Sequence, residues 1–243
     1  MNKIAHFLVV ACCALKACAP KTTGTNTVFR ANPLPDSIKT FILQPDEILP
    51  GKSEFLREVV MGASLLSSNC GYKNLMDYAT FQSRQSGANL IQLTQVKKPA
   101  MGNGCYHITA RLYKNLDSAA IASIESNKTA VNKSTLPSDA DYAIVHFYRP
   151  KAFEGAIISY QIKMDDKGVI GKASAGSRFE YKITEFGKHR FFGKTKKQDA
   201  VTFNIEKGKE YYVRCGVTKG SSIVIPDMYL MENYVARREL AEL

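Results

Sequence analysis

The sequence predicts an α+β protein in which a small mixed α+β domain precedes an all-β sandwich domain. In the first half, residues 36–113, one helix-like segment lies among short apolar segments. After residue 141, apolar segments with a two-residue period recur at roughly 8–12-residue intervals, as the strands of a sandwich do. Between these patterns, residues 114–140 are rich in Ser, Asn, Lys and Ala and are interpreted as an interdomain linker.

The first half contains one predicted helix and four predicted strands. The helix covers residues 72–86, because apolar side chains recur on one face and Gly87 follows in a position typical of a C-cap. The segment 55–66 is compatible with a helix or a strand, and its Val59-Val60 pair favours a strand. The remaining strands are predicted at residues 38–43, 90–96 and 106–113.

Only strands are predicted after the linker, until a short helix at residues 232–243 closes the chain. Apolar side chains alternate over residues 158–164, which is typical of a strand buried on one side. The following sequence, Asp165-Asp166-Lys167-Gly168, is typical of a solvated hairpin turn. The strands are predicted at residues 142–149, 158–164, 169–173, 178–184, 188–194, 201–205, 210–217, 222–225 and 228–231. The helix residues expected to face the sheet are Ala236, Leu240 and Leu243.

Residues 1–17 have the layout of a secretory signal peptide. Lys3 gives a positive start, an apolar region covers residues 4–15, and small residues lead to Cys18. The apolar region is too short to span a bilayer as a helix. Residues 18–35 are polar and contain Gly, Thr, Asn and Pro, so they are interpreted as a tether to the first domain.

The residues Leu15-Lys16-Ala17-Cys18 resemble the lipobox of bacterial lipoproteins, in which the cysteine is lipidated and becomes the new N-terminus. The resemblance implies a membrane anchor on Cys18 and a place in the bacterial cell envelope, at the outer membrane, facing the periplasm or the surface. Lys16 departs from the pattern, which usually has a small uncharged residue there. Cys12 is the second candidate, since the residues before it fit the pattern but leave a shorter apolar region. A third alternative is an ordinary signal peptide cut near Ala19.

The chain carries a formal net charge of +11, and of its cations only Lys3 and Lys16 lie in the leader. A basic protein of the envelope is expected to contact anionic lipid, a glycan or another envelope protein, and its secretion argues against nucleic acid. Basic and aromatic residues are densest over residues 188–197. This segment either contacts an anionic surface or is a solvated hairpin whose Phe side chains enter the core, and the second interpretation is favoured. Its cations are Lys188, Arg190, Lys194, Lys196 and Lys197.

Three of the six cysteines, Cys70, Cys105 and Cys215, lie beyond the leader and the proposed lipid site. Disulfides persist in oxidising compartments such as the periplasm, so two of the three can pair. We predict a Cys70–Cys105 bridge, because these residues bracket one compact unit. Cys215 lies in a predicted strand on the same face as apolar neighbours, which favours a buried, unreactive thiol.

No catalytic set, metal site or cofactor site is predicted. His107, His146 and His189 are far apart, and none lies at metal-ligand spacing from a cysteine or a second histidine. A thiol–imidazole pair of Cys105 and His107 is conceivable, and a disulfide at Cys105 would abolish it. The predicted function is therefore a non-enzymatic interaction or structural module. The alternatives are an envelope hydrolase or thiol-based enzyme, and a ligand-binding protein with a site between its domains.

Residues 141–243 resemble an uncharacterised family of bacterial lipoprotein domains that are similar to PEGA-type surface domains. The matching residues include Val145-His-Phe-Tyr-Arg-Pro150, the segment 207–217 and the segment Met228-Tyr-Leu-Met-Glu232. The resemblance implies a β-sandwich, and the family supplies no accepted active site.

The first domain resembles small lipoprotein domains near the outer-membrane Rcs stress sensor. The similarity rests on Cys70-Gly-Tyr, the helix after it, residues 87–93 and Cys105 with its closing strand. It implies a disulfide-stabilised domain that works by contacting partners, and it supports the Cys70–Cys105 bridge.

Overall fold

The computed structural model describes residues 32–35, 37–62, 70–100, 105–151, 155–219 and 223–243. This part of the chain contains twelve strands, arranged as three four-stranded sheets, and three helices. The fold class is therefore α+β with a predominance of strands. The predicted signal peptide, the lipid site at Cys18 and most of the tether lie outside the described residues.

The first sheet has the order β1-β3-β4-β2, in which β1 pairs parallel to β3 and the other pairs are antiparallel. Residues 55–61 of the segment that was compatible with a helix or a strand belong to strand β2, as the Val59-Val60 pair predicts, and residues 63–66 lie outside the described residues. The predicted helix is present as α1. These elements are β1 Phe41–Leu43, β2 Glu54–Met61, α1 Tyr72–Gln85, β3 Leu90–Lys97 and β4 His107–Lys114.

The segment 114–140 was predicted to be a linker, but it contains helix α2, Ser118–Val131. Asp117 caps this helix by accepting hydrogen bonds from the N–H groups of Ala119 and Ala120 at 3.0 and 3.2 Å. Only Ile124 of the helix is fully buried, in a cluster with side chains of the first sheet. A helix that buries one side chain leaves little apolar periodicity, which explains why the pattern resembled a linker.

Two further sheets contain the strands of the second half. The second sheet has the order β12-β11-β5-β8, and the third has the order β10-β9-β6-β7. Their facing sides share one apolar core around Phe147, Ile162 and Phe191. The predicted strands at 222–225 and 228–231 are one continuous strand, β12. The elements are β5 Ala143–Tyr148, β6 Tyr160–Met164, β7 Val169–Ala173, β8 Arg178–Ile183, β9 Gly187–Lys194, β10 Gln198–Ile205, β11 Glu210–Lys219, β12 Val224–Met231 and α3 Asn233–Ala241.

Helices α1 and α3 connect the two halves. Leu75 and Met76 of α1 share an apolar core with Met231 at the end of β12 and with Ala236 of α3. Leu240 and Leu243 pack against the same core, as predicted for the closing helix. The two predicted domains are therefore not separated by a flexible linker but joined by a common core.

The joint also contains a buried ion pair and the disulfide. Arg214 of β11 is 2% exposed, and its Nε lies 2.8 Å from Oε2 of Glu239 on α3. The hydroxyl of Tyr148 donates to the same carboxylate at 2.9 Å. Cys70 and Cys105 form a disulfide that ties the start of α1 to the start of β4, as predicted.

Cys215 is a buried free thiol, and burial raises its pKa to about 12, so it is unreactive at neutral pH. None of the helices in the described ranges has the length and apolar content needed to cross a membrane.

Candidate functional site

The outward side of the third sheet carries five cations, and we call it the cationic face. Lys163 comes from β6, Lys172 from β7, and Lys188, Arg190 and Lys194 from β9. All five side chains are exposed. The face thus collects charges from three strands that are separated along the chain.

The alternation of each strand explains why these cations point outward. On β6, Ile162 and Met164 are buried in the core between the two sheets, so Lys163 between them must face solvent. On β9, Phe191 is buried in the same core, so the strand residues 188, 190, 192 and 194 are turned to the outward side of the sheet. Cross-strand pairing places Lys163 opposite Phe192, which keeps both on the outward side of the sheet.

No carboxylate points outward from this sheet among its described strand residues. The residues that share the face with the five cations are Gln161, Val169, Phe192, Gln198, Ala200, Thr202 and Asn204. Within the part of the chain that the structure describes, none of the five cations makes an ion pair. Like charges on one surface without internal partners raise the local positive potential and favour an external anion.

Two more cations, Lys196 and Lys197, lie in the hairpin that joins β9 to β10. The Thr195 N–H donates to the Lys197 carbonyl at 2.9 Å and closes this turn, and both lysines are exposed. They extend the positive charge from the cationic face to one end of the sheet. The cations of the 188–197 segment that the sequence analysis singled out are thus all solvent-exposed, namely Lys188, Arg190, Lys194, Lys196 and Lys197.

Apolar side chains are present on the same face. Val169 is 51% exposed, and Phe192 is half-buried beneath the Arg190 guanidinium, which lies 5.2 Å from the ring centroid. The adjacent Phe191 is completely buried in the core. One Phe of the 188–197 segment therefore enters the core, as the favoured interpretation predicts, while the other lies on the outward side beneath an exposed cation.

The turn between β6 and β7 bounds the cationic face and is more than a solvated hairpin. Asp165 Oδ2 lies 2.7 Å from Nδ1 of His189, and Asp165 Oδ1 accepts the Arg190 N–H at 2.8 Å. Burial opposes ionisation of Asp165, but the hydrogen bonds from His189 and Arg190 outweigh it and lower the pKa of this carboxyl. The Asp165 carboxylate thus fixes the start of β9, the strand that supplies three of the five cations.

His189 and His146 are both engaged by neighbouring side-chain and backbone groups. Nε2 of His189 lies 3.0 Å from the Glu185 carbonyl, so both of its ring nitrogens are engaged. His146 lies between the carboxylates of Glu180 and Glu210, at 3.3 and 3.2 Å. Its ring stacks on Tyr212 with the centroids 4.4 Å apart, so His146 is packed against the neighbouring strand β11.

The chemistry considered for Cys105 is not available in this structure. Cys105 is bonded to Cys70, so no thiol–imidazole pair with His107 can form. Among the described residues there is no group of three or more His, Cys, Asp or Glu side chains that could hold a metal ion.

Sequence reasoning missed Lys163 and Lys172. The two-residue period of β6 already places Lys163 opposite the apolar side of that strand, so the outward direction was available from the pattern. Which strands lie beside β9 was not, because sheet order depends on contacts between distant segments. The order β10-β9-β6-β7 is what brings the two lysines beside the β9 cations.

Comparisons of the chain with protein-family models, with curated proteins and with solved structures found no match.

Proposed function

We propose that this protein is a non-enzymatic, lipid-anchored module of the bacterial envelope that docks on an anionic lipid surface through its cationic face. Cys18 carries the anchor, and residues 18–35 connect it to the folded part. The folded part consists of a small α+β unit followed by a β-sandwich formed by the second and third sheets. The outer membrane, facing the periplasm or the surface, is the proposed location.

One observation carries this proposal: within the described part of the chain, five exposed cations that make no ion pair share a sheet face that carries no carboxylate. A basic residue near an anionic membrane contributes about 1 kcal/mol to binding. A sheet face presents its side chains to one plane, so several cations can contact a membrane surface at the same time. Phe192 on a central strand and Val169 on the edge strand β7 add apolar area to the face, which suits the interfacial region of a bilayer.

The proposal gives the anchor and the cationic face complementary roles. A lipid at Cys18 would hold the chain near the bilayer, while the cationic face would set the orientation of the folded part against it. Two membrane-directed signals on one chain are typical of stable peripheral attachment.

Vesicle binding tests the cationic face directly. The mature chain, residues 18–243 with Cys18→Ser so that it carries no lipid, is mixed with two kinds of vesicle. One is phosphatidylcholine alone, and the other contains about 30% phosphatidylglycerol, which gives an anionic surface of physiological order. We expect binding to the anionic vesicles only, decreasing with added salt as the charges are screened. The triple variant Lys188→Glu, Arg190→Glu, Lys194→Glu should bind about a hundredfold more weakly.

A matched variant controls for the change in net charge. Lys133, Lys207 and Lys209 are exposed and line a separate groove that contains no residue of the cationic face. Their replacement by Glu changes the total charge by the same amount as the triple variant on β9. This control should lose far less vesicle affinity than the triple variant on β9. Equal loss in both variants, or binding to a glycan or an envelope protein without binding to anionic vesicles, would refute the lipid surface as the partner.

Cell fractionation tests the anchor. The Cys18→Ala chain should move from the membrane fraction to the soluble fraction, and the Cys12→Ala chain should not. Unchanged membrane retention of the Cys18→Ala chain would remove Cys18 as the lipid site.

A further inference from the structure

A cleft at the joint of the two halves is bordered by the free edges of two sheets. It has a volume of about 440 Å³ and lies between α1, α2, β1 and the end of β12. β1 is the edge strand of the first sheet, and β12 is the edge strand of the second. An edge strand presents backbone N–H and C=O groups that lack a partner strand.

On β1, the open groups belong to Ile42. The Phe41 N–H donates to the Asn89 carbonyl at 2.9 Å, so the backbone of Phe41 is turned toward β3. Backbone groups alternate sides along a strand, which turns those of Ile42 away from β3 and toward the cleft. The next outward N–H, that of Gln44, is occupied by the Glu47 carboxylate at 2.6 Å. Ile42 is therefore the open position at the centre of this edge.

On β12, the same argument identifies Leu230. The Met228 N–H donates to Asp199 Oδ2 at 2.7 Å, so Met228 is turned away from β11. Pro226 is turned to the same side as Met228 and has no N–H to leave unpaired. Val224 is also turned to that side, and its carbonyl accepts from the Thr195 hydroxyl at 2.7 Å. The first part of the edge is thus blocked at Val224, Pro226 and Met228. Leu230 is the next residue turned to that side, and it lines the cleft, where the edge is open.

The charges that line the cleft are neutralised within the protein. Lys39 pairs with Glu125 at 3.0 Å. Lys128, whose side chain is 12% exposed, lies 2.7 Å from Glu47 and 2.9 Å from Glu232. An ionic ligand would find no unpaired counter-charge among the described lining residues. The occupant that fits is uncharged where it contacts these walls.

Much of the remaining lining is apolar. Met76, Met231 and Val235 contribute the apolar surface, and the Tyr72 and Tyr229 rings stand beside them. These walls suit an occupant that carries apolar side chains.

We propose that this cleft binds an extended, uncharged peptide segment of a partner protein, which adds as a short strand between β1 and β12. Main-chain hydrogen bonds to Ile42 and Leu230 hold the segment, and its alternate side chains meet the apolar surface of the cleft. A cleft of this volume accommodates a few residues, in agreement with the three residues of β1.

Selection from a phage-displayed random-peptide library, using the full-length chain as bait, tests this proposal. The enriched peptides should have low net charge and apolar residues with a two-residue period. Their binding, measured by fluorescence anisotropy, should fall at least tenfold when the peptide nitrogens that face the strand edge are methylated. No enriched peptide, or enriched peptides that tolerate this methylation, would overturn the proposal.

Two variants of the chain locate the site. Leu230→Pro removes the outward N–H of β12 without removing a bond to β11, and Ile42→Pro removes the outward N–H of β1 without removing a bond to β3. Each variant should weaken peptide binding about tenfold or more. Unchanged peptide affinity of either folded variant would contradict the site, and the methylated peptides test it on the unaltered chain if neither variant folds. The triple variant on β9 should bind the peptides normally, so this test is independent of the vesicle experiment.

Discussion

Asp227 of β12 caps helix α1 across the joint between the two halves, with its Oδ1 accepting the Lys73 N–H at 3.2 Å. The residue before the helix is Gly71, which has no side chain to fill this role. Asp227 is 3% exposed and therefore holds a carboxylate where water hardly reaches. The start of α1 thus depends on a side chain more than 150 residues further along the chain.

The pH dependence of stability should reveal this carboxyl. Burial raises the pKa of Asp227 from 3.8 to about 6, and the nearby Asp199 adds to the effect, while Arg214 opposes it. Because the folded state binds this proton more tightly than the unfolded state, the contribution of Asp227 to stability is greatest below about pH 4. It decreases as pH rises to about 6, by up to about 3 kcal/mol.

The Asp227→Asn chain measures that contribution. Its amide oxygen still accepts from the Lys73 N–H but no longer titrates. The free energy of unfolding of this variant, relative to the unaltered chain, should increase between pH 4 and pH 6.5 in urea titrations. A difference that stays constant across this range would show that Asp227 titrates at its ordinary pKa.

Gly71 should tolerate no side chain. A Cβ at this position would lie 2.9 Å from Cγ of Asp227 and 2.9 Å from Cβ of Thr218, both of them buried. Gly71→Ala should therefore lower the free energy of unfolding by about 1–3 kcal/mol, the usual range for overfilling a close-packed site. Thermal unfolding measures this, with Gly51→Ala as the control because a Cβ there meets nothing within 4 Å. Equal stability of the two variants would contradict the close approach of β12 to α1.

The elements of this fold were largely predictable from the sequence, whereas their arrangement was not. Alternation and helix periodicity are local, so β6, α1 and the buried thiol at Cys215 follow from a few neighbouring residues. Helix α2 was missed because Ile124 alone provides its fully buried contact. The Asp227 cap and the neighbouring positions of Lys163 and Lys194 result from strand order and from contacts between distant segments. No local pattern encodes them.

Arg214 and Glu239 should prove mutually dependent. Arg214→Met leaves the Glu239 carboxylate partly buried and without its guanidinium, so we expect a loss of about 3–5 kcal/mol in unfolding free energy. The double variant Arg214→Met, Glu239→Leu should recover most of that loss, since neither charge then remains buried. Urea titrations of the single and double variants give the coupling free energy. A double variant as unstable as the sum of the two single variants would show that the two side chains act independently.

Reduction should weaken the first half of the chain through the Cys70–Cys105 bridge. The bridge closes a loop with a sequence separation of 35 residues, and its removal should cost about 2–5 kcal/mol of stability. The Cys70→Ser, Cys105→Ser chain should therefore unfold at lower temperature and lose its sensitivity to dithiothreitol.

Cys215 provides the internal control, because its thiol is buried in the core between the second and third sheets. In the native chain it should react with a maleimide only after denaturant is added. Labelling of Cys215 under native conditions, or peptide mapping that joins it to Cys70 or Cys105, would contradict this account of the cysteines.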